Sequence, residues 1–346
     1  MQTEIIGGDE IFRNKSTCEW QMARIGKMIN RKYAREVIIL TGGYSSSEKE
    51  ISLLSSETVC QVCQNILPTT EIVLSRDKLP EEAISKDAII FPVAHGEFME
   101  DGGLQAAMEA EDLTFIGSDS KASALCMNKS LTKQIVSEAG IPVIDGIKFV
   151  PANVPSSHLI SNTLGHNLFI KPNAKGSSIG THVISSEMEL GLTIHRLNEN
   201  MEYIAERRID GIDLTVAILD GKALEIVEIL PKYGFLDYRN KYTPGYSSKI
   251  CPARIPEDTK NMVKRYCEMA FKCCGCRDWA RVDFLFQKNT GKVFFLEINT
   301  IPGMTQNSFY PMSASAAGID LPALISALIN LAADRKAKSN SMDGRG

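Results

Sequence analysis

The chain has 346 residues, with 38 basic and 42 acidic side chains, a net charge of −4 and 44% apolar content. That length allows two or three domains and a large core, and the near-balanced charge offers no field for nucleic acid or an anionic membrane. There is no run of about eighteen apolar residues to make a transmembrane helix, residues 1–14 lack a signal-peptide core, and nine scattered cysteines favour reduced thiols in a cytoplasm over a disulfide framework.

Residues 1–35 are helix-like and basic in patches, and read as an extension outside the core fold. Val37–Leu40 is a buried strand with Gly42-Gly43 as the turn after it. A helix follows from near Ser47 and carries Cys60-x-x-Cys63. Strands at Glu71–Leu74 and Ala88–Val93 come next, and strands alternating with helices predict an open parallel sheet up to about residue 128. Ligands bind such sheets at the carboxyl ends of strands. Gly42-Gly43 and Ala94-His95-Gly96, with the polar loop Glu100-Asp101-Gly102-Gly103 behind, fall at those ends.

From Lys129 to about Asp213 the pattern changes to strands and hairpins around residues 176–180. A third region, 214–334, holds a carboxylate-bearing hairpin and a final helix at Leu321–Ala333. The small, polar residues 335–346 read as a disordered tail. The chain therefore belongs to the α/β class, with α+β parts. Cys60-x-x-Cys63 and Cys273-Cys274-Gly275-Cys276 have no matching second pair, so they read as buried small hydrophobes rather than zinc ligands.

The chemistry concentrates in a hairpin. Arg281-Val282-Asp283 and Glu297-Ile298-Asn299 lie in two apolar runs joined by the turn-like segment Gln287–Lys292. Folding about Thr290 sets Asp283 opposite Glu297 and Arg281 opposite Asn299, and the period of two puts all four on one face. Facing carboxylates repel unless a divalent cation holds them. Two carboxylates and an amide suit Mg²⁺ with phosphate as co-ligand, which points to a nucleoside triphosphate.

Leu168–Pro172 is a strand that presents Lys171, and the Gly/Ser loop 176–180 after it is suited to approach phosphate oxygens. Its spacing is not that of a Walker A loop. Lys129 is a second basic candidate. The strand end Tyr203–Ile209, with Glu206, has acidic and apolar residues of the kind that can hold adenine and ribose, but on this stretch alone it reads as an exposed, salt-bridged strand end. Backbone N–H groups of the Pro302-Gly303 turn, and Arg281, can stabilise an oxyanion.

From about Val37 to Ala333 the chain resembles the D-alanine–D-alanine ligases of the ATP-grasp superfamily. The resemblance rests on Gly42-Gly43 with Glu48–Leu53, His95-Gly96 with Glu100-Asp101-Gly102, Met127-Asn128-Lys129, Lys171-Pro172 with Gly176–Gly180, Lys241-Tyr242, Cys251-Pro252-Ala253, and Glu297, Asn299, Pro302–Thr305 and Ser308. It implies a three-domain ATP-grasp fold: an extension 1–35, an N-terminal open-sheet domain 36–128, a central lid domain 129–213 and a C-terminal domain 214–334.

The implied activity is ATP-dependent joining of two D-alanines through an acyl phosphate, for peptidoglycan precursor. An alternative keeps the fold and changes the acceptor to D-serine, D-lactate or another amino acid.

By the same resemblance Lys129, Lys171, Gly176 and Ser178 would contact ATP phosphates. Glu206, the backbone at Arg207 and Ile209 would hold adenine, and Asp213 would hold ribose. Asp283, Glu297 and Asn299 would hold two Mg²⁺, or Mn²⁺. Glu48, near His95, would take the first ammonium group and join Ser177 and Tyr242 in a set that closes over the site. Lys241, Ser308 and Phe309 would border the second D-alanine, with Ser308 on its carboxylate. Arg281 and the Gly303 N–H would stabilise the tetrahedral intermediate. The family implies a homodimer, with no nucleic-acid or membrane partner. Four positions depart from the pattern: a turn one residue longer at 43–48, Asp213 for a common Glu, Arg207 for a Lys, and Phe309 for a Leu.

Overall fold

The computed structural model describes residues 29–43, 46–74, 77–176, 180–231 and 246–342. Three sheets organise them. The first has strands β1 (Glu36–Gly42), β2 (Thr69–Leu74), β3 (Ala88–Pro92) and β4 (Thr114–Phe115), in the order β2-β1-β3-β4. All its pairings are parallel, as expected from the sequence. Its helices are α1 (Ser46–Cys63), α2 (Gly103–Ala110) and α3 (Ser120–Met127). The continuous apolar run of β1 is explained by cover on both faces. Val37 and Ile39 face a core with Val59, Cys63 and Leu324–Ile325, while Ile38 and Leu40 face Leu104 and Met108.

After helix α4 (Lys129–Glu138) comes a four-stranded antiparallel sheet. It is built from β5 (Gly146–Phe149), β6 (Leu168–Pro172), β7 (His182–Ile184) and β8 (Tyr203–Arg207), in the order β5-β8-β6-β7. Helices α5 (Ser157–Leu164) and α6 (Glu187–Ile194) cover one face through Ile160, Leu164, Leu190 and Ile194.

The third sheet contains β9 (Ile212–Leu219), β10 (Lys222–Pro231), β11 (Ser247–Ile250), β12 (Trp279–Gln287) and β13 (Lys292–Asn299). Its order is β11-β10-β9-β12-β13, all antiparallel. Helix α7 (Glu257–Cys273) packs Val263, Cys267, Ala270 and Phe271 onto its inner face. Val136 of α4 joins that core, so α4 is anchored to the third sheet although it precedes the second in sequence. Two further helices, α8 (Phe309–Ala316) and α9 (Leu321–Met342), close the chain.

Trp279 locks the first and third sheets together. It is fully buried, with edge-on contacts to Phe91 at 5.6 Å and Tyr310 at 5.2 Å. The Tyr310 hydroxyl donates to the Ile218 carbonyl at 2.9 Å.

Two expectations at the ends of the chain need correction. Residues 29–34 are not outside the core: Ala34 is fully buried, Ile29 and Tyr33 pack on α9 and its neighbours, and the Asn30 N–H donates to Asn330. Residues 1–28, the rest of that extension, lie outside the described residues. The tail is helical rather than disordered through Met342. The sequence from Asp334 to Lys338 contains good helix formers and no Gly or Pro, so nothing stops α9 at Ala333. Arg335 then anchors the extension by donating to buried Asp278 and, at 2.6 Å, to the Phe115 carbonyl.

Among the described residues no single helix is long and apolar enough to cross a membrane. The cysteines described are free thiols, and no group of three or more His, Cys, Asp or Glu side chains placed to hold a metal ion occurs among these residues. Burial pushes the Cys63 thiol up to about 12, in keeping with an inert core residue.

Asp278 is almost fully buried, and its charge is balanced by Arg335 and the Gly117 N–H at 2.7 Å. Arg335→Met is expected to lower the unfolding free energy by about 2 kcal/mol, less than for a fully buried pair because the guanidinium is a third exposed. Urea unfolding measures this; a change under about 0.5 kcal/mol would show that the ion pair is idle.

Candidate active site

The hairpin β12–β13 sets the chemistry. Asp283 stands opposite Glu297 and Arg281 opposite Asn299, the register expected from the sequence. The route to that register is less direct. From the turn, Gln287 pairs with Lys292 and Phe284 with Phe295, a ladder that would set Asp283 against Leu296. A bulge between Asp283 and Phe284 absorbs one residue of β13. Leu296 and Glu297 are both half-buried and both line the same cavity, while Ile298 returns to the core.

Asp283 is fully engaged. Arg281 grips it with Nε to Oδ1 at 2.9 Å and Nη2 to Oδ2 at 3.0 Å. Thr215, its cross-strand neighbour on β9, adds a hydroxyl at 2.6 Å. Both charged partners are 6% exposed, and paired charges with added hydrogen bonds are the form in which burial is tolerable.

A second charged cluster lies across the cavity. Glu206 on β8 is 1% exposed; one carboxylate oxygen takes Lys133 and the other takes Lys171 at 2.9 Å. Burial alone would raise its pKa, but Lys133 and Lys171 outweigh burial and hold it near about 2. Burial lowers the pKa of Lys133 and of Lys129, with the carboxylates Glu206 and Glu297 opposing it. Lys129 Nζ sits 4.0 Å from Glu297 Oε2.

Asn173, fully buried, fixes this geometry. It ties the start of α4 to the loop after β6 through the Ser130 N–H at 2.9 Å and the Asn128 side chain at 3.0 Å. Asn128 in turn caps α4 by accepting from the Leu131 N–H.

Lys129, Lys171, Glu206, Arg207, Ile209, Asp213, Asp283 and Glu297 line one cavity, between the second and third sheets. An adjoining pocket is lined by His95, Gly176, Arg281 and Asn299, and shares Lys129 and Glu297 with it. Glu48 lies just beyond, against Gly96. That glycine has φ +101°, and a Cβ there would sit 2.8 Å from the Glu48 carboxylate. His95 is held by its N–H to Ser52 at 3.0 Å and by Nδ1 to Glu100 at 3.4 Å. Its Nε2 is buried with no hydrogen-bond partner among the described residues.

Gly303 approaches Ser308 so closely that a Cβ would stand 3.0 Å from the hydroxyl. Ser308 Oγ meets Thr305 Oγ1 at 2.7 Å and accepts from the Thr305 N–H at 3.1 Å. Phe309 is buried beneath two cations, Lys249 at 4.4 Å and Arg281 at 5.7 Å from its ring centre. Ser177, Ser178, Lys241 and Tyr242 lie outside the described residues, as do residues 44–45 of the lengthened turn.

Sequence reasoning missed Lys133, Thr215, Asn173 and Lys249, and it named Glu100 without giving it a role. Lys133 was findable, being one helical turn from Lys129 on the same face. Thr215 and Lys249 carried no signal, because only sheet pairing brings them to Asp283 and to the Asn307–Phe309 segment.

A family model described as "D-ala D-ala ligase C-terminus" matches residues 135–330. A D-alanine–D-alanine ligase of Aquifex aeolicus is 38% identical over 301 residues, covering 85% of this chain and 99% of the relative. One from Desulforudis audaxviator is 34% identical over 313 residues, covering 87% and 99%. The solved D-alanine–D-alanine ligase of Bacillus anthracis complexed with ATP aligns with a TM-score of 0.76 and 29% identity, covering 88% of this chain and 99% of that one. The VanG D-Ala:D-Ser ligase of Enterococcus faecalis aligns at 0.74 and 28%, covering 86% and 99%.

The pKa of Glu206 is depressed in the folded state, so its stabilising contribution is full above its ordinary value of 4.5 and is lost as pH falls toward about 2. The stability gap between the wild type and Glu206→Gln should therefore stay constant above pH about 5 and narrow below pH about 4.5. Urea unfolding across that window measures it, and a gap unchanged down to pH about 3 would contradict the ion-pair account.

Proposed function

The chain belongs to the D-alanine–D-alanine ligase family and has its ATP-grasp fold, and from that premise we propose how its residues divide the work of joining two D-alanines with ATP. The observation that carries the reading is the pair of adjoining cavities. One gathers Lys129, Lys133 and Lys171 with apolar walls from Phe169, Ile209 and Leu296; the other gathers Arg281, His95 and Asn299. The first suits a triphosphate with its base, and the second suits a small carboxylate whose reacting end meets the γ-phosphate at Lys129 and Glu297.

The first D-alanine carboxylate attacks the γ-phosphorus, giving an acyl phosphate and ADP. The amine of the second D-alanine then attacks the acyl carbonyl, and phosphate leaves. Lys129 and Lys171 offset the charge on the phosphates. Glu206, the Arg207 backbone and Ile209 border adenine, and Asp213 lies within the same cavity for the ribose.

Glu48, against Gly96 and His95, is placed to accept the first ammonium group. Arg281 and the Gly303 N–H face the developing oxyanion. Ser308, with Phe309 behind it, borders the acceptor. Ser177, Ser178, Lys241 and Tyr242 complete the closing set in this reading, with Gly176 at the pocket edge.

Asp283, Glu297 and Asn299 fit Mg²⁺: they are an oxygen-only set with two facing carboxylates, the hard ligands that ion prefers. Bound there, the ion supplies charge neutralisation to the phosphates. We further place residues 36–128, 129–213 and 214–334 as the three domains, a symmetric homodimer as the assembly, and the cytoplasm, where ATP is made, as the location. A D-serine acceptor is the second reading, favoured by Phe309 at the acceptor side and by the comparable likeness to a D-Ala:D-Ser ligase.

With ATP and Mg²⁺, D-alanine alone should drive phosphate release and dipeptide formation, and L-alanine should not. Release only after D-serine is added would move the function to the second reading. Glu297→Gln should lower kcat on the order of a hundredfold or more, the scale of losing one charge-stabilising group at a reacting centre. Near-normal turnover would remove that residue from the reaction.

A further inference from the structure

Lys171 has two claims on it. It lies beside the phosphate region of the cavity, yet its ammonium is bonded to Glu206 at 2.9 Å. A lysine holding a buried carboxylate is not available to a triphosphate, and leaving such a carboxylate unpaired is strongly unfavourable. Glu206 is 1% exposed, so water cannot replace a departing lysine.

Lys133 resolves the conflict. It holds the other oxygen of the same carboxylate, and its side chain is 7% exposed against 24% for Lys171. Its helix is fixed at one end by the Asn128 cap and at the other by Val136 in the core of the third sheet. Lys171, by contrast, stands at the open side over the Phe169 ring, 5.3 Å from its centre.

We propose that Lys133 is a positioning residue: it is the resident counter-ion of Glu206, and by staying there it releases Lys171 to the phosphates of the incoming nucleotide. Lys133 touches no phosphate itself, so its effect on affinity runs through Lys171. The inference rests on the nucleotide reading of this cavity.

The test is a double-mutant cycle on ATP binding, followed by calorimetric titration of the full chain with Mg²⁺ and no D-alanine. Lys171→Met should weaken ATP binding about tenfold or more in the wild-type background, the scale of a charge-assisted hydrogen bond. In a Lys133→Met background, where Glu206 keeps Lys171, the same change should cost less than about twofold. Lys133→Arg should restore the full effect of Lys171→Met.

Where Lys133→Met impairs folding, adding it to Glu206→Gln removes both charges together. Lys133→Met should then cost no further ATP affinity, because no carboxylate remains to hold Lys171. Equal losses from Lys171→Met in both backgrounds would overturn the proposal, as would a further loss from Lys133→Met beside Glu206→Gln. A wild type that binds no ATP would overturn the nucleotide reading and this inference with it, whereas ATP binding with an additive cycle would overturn this inference alone.

Discussion

Two acidic side chains face each other across β12 and the edge strand β13, and the site depends on that confrontation being built and held. Asp283 and Glu297 meet only because β13 takes in one extra residue at Leu296. In a strand, side-chain direction reverses with every residue, so a ladder without the bulge would turn Glu297 into the apolar core beside Phe295 and Phe284. The bulge also leaves Leu296 on the site face. One irregularity thus supplies an apolar wall and a carboxylate from adjacent residues.

The surrounding charges follow from the same constraint. A carboxylate at this depth needs a cation or several donors, and each one has them. Asp283 has the Arg281 fork and Thr215, Glu206 has Lys133 and Lys171, and Lys129 stands 4.0 Å from Glu297. Such partners are stabilising only as sets; removing one member exposes the others to the low dielectric. The basic groups that a polyphosphate needs are therefore already committed to carboxylates. In the proposed reading, ligand binding is an exchange of ion partners rather than the capture of idle charges.

The three sheets position these groups without sharing one core. The parallel sheet contributes His95 and Glu48 from the carboxyl ends of its strands, with Ser52 and Glu100 orienting the histidine. The second sheet contributes Lys171 and Glu206 from neighbouring strands. The third sheet contributes the hairpin. Trp279 fixes the first to the third through Phe91 and Tyr310, and α4 carries Lys129 and Lys133 from the third sheet's core toward the second.

Periodicity and composition settled much of this in advance. The apolar run Val37–Leu40 could only be a strand covered on both faces, and strand–helix alternation up to residue 128 required a parallel sheet. Two residues of spacing in Arg281-x-Asp283 and Glu297-x-Asn299 put each pair on one face, and the ordered markers from Gly42-Gly43 to Ser308 pointed to the family. Partners distant along the chain were beyond reach. Glu206 looked like an exposed strand end, and only the packing of α4 against the third sheet brings Lys133 to it. Lys249 and Thr215 likewise gain meaning only from strand pairing. Local patterns fix which face a side chain takes, because pleat and helix geometry are short-range. Which charges meet in the interior depends on how separate sheets dock, and that is decided by the whole packed core.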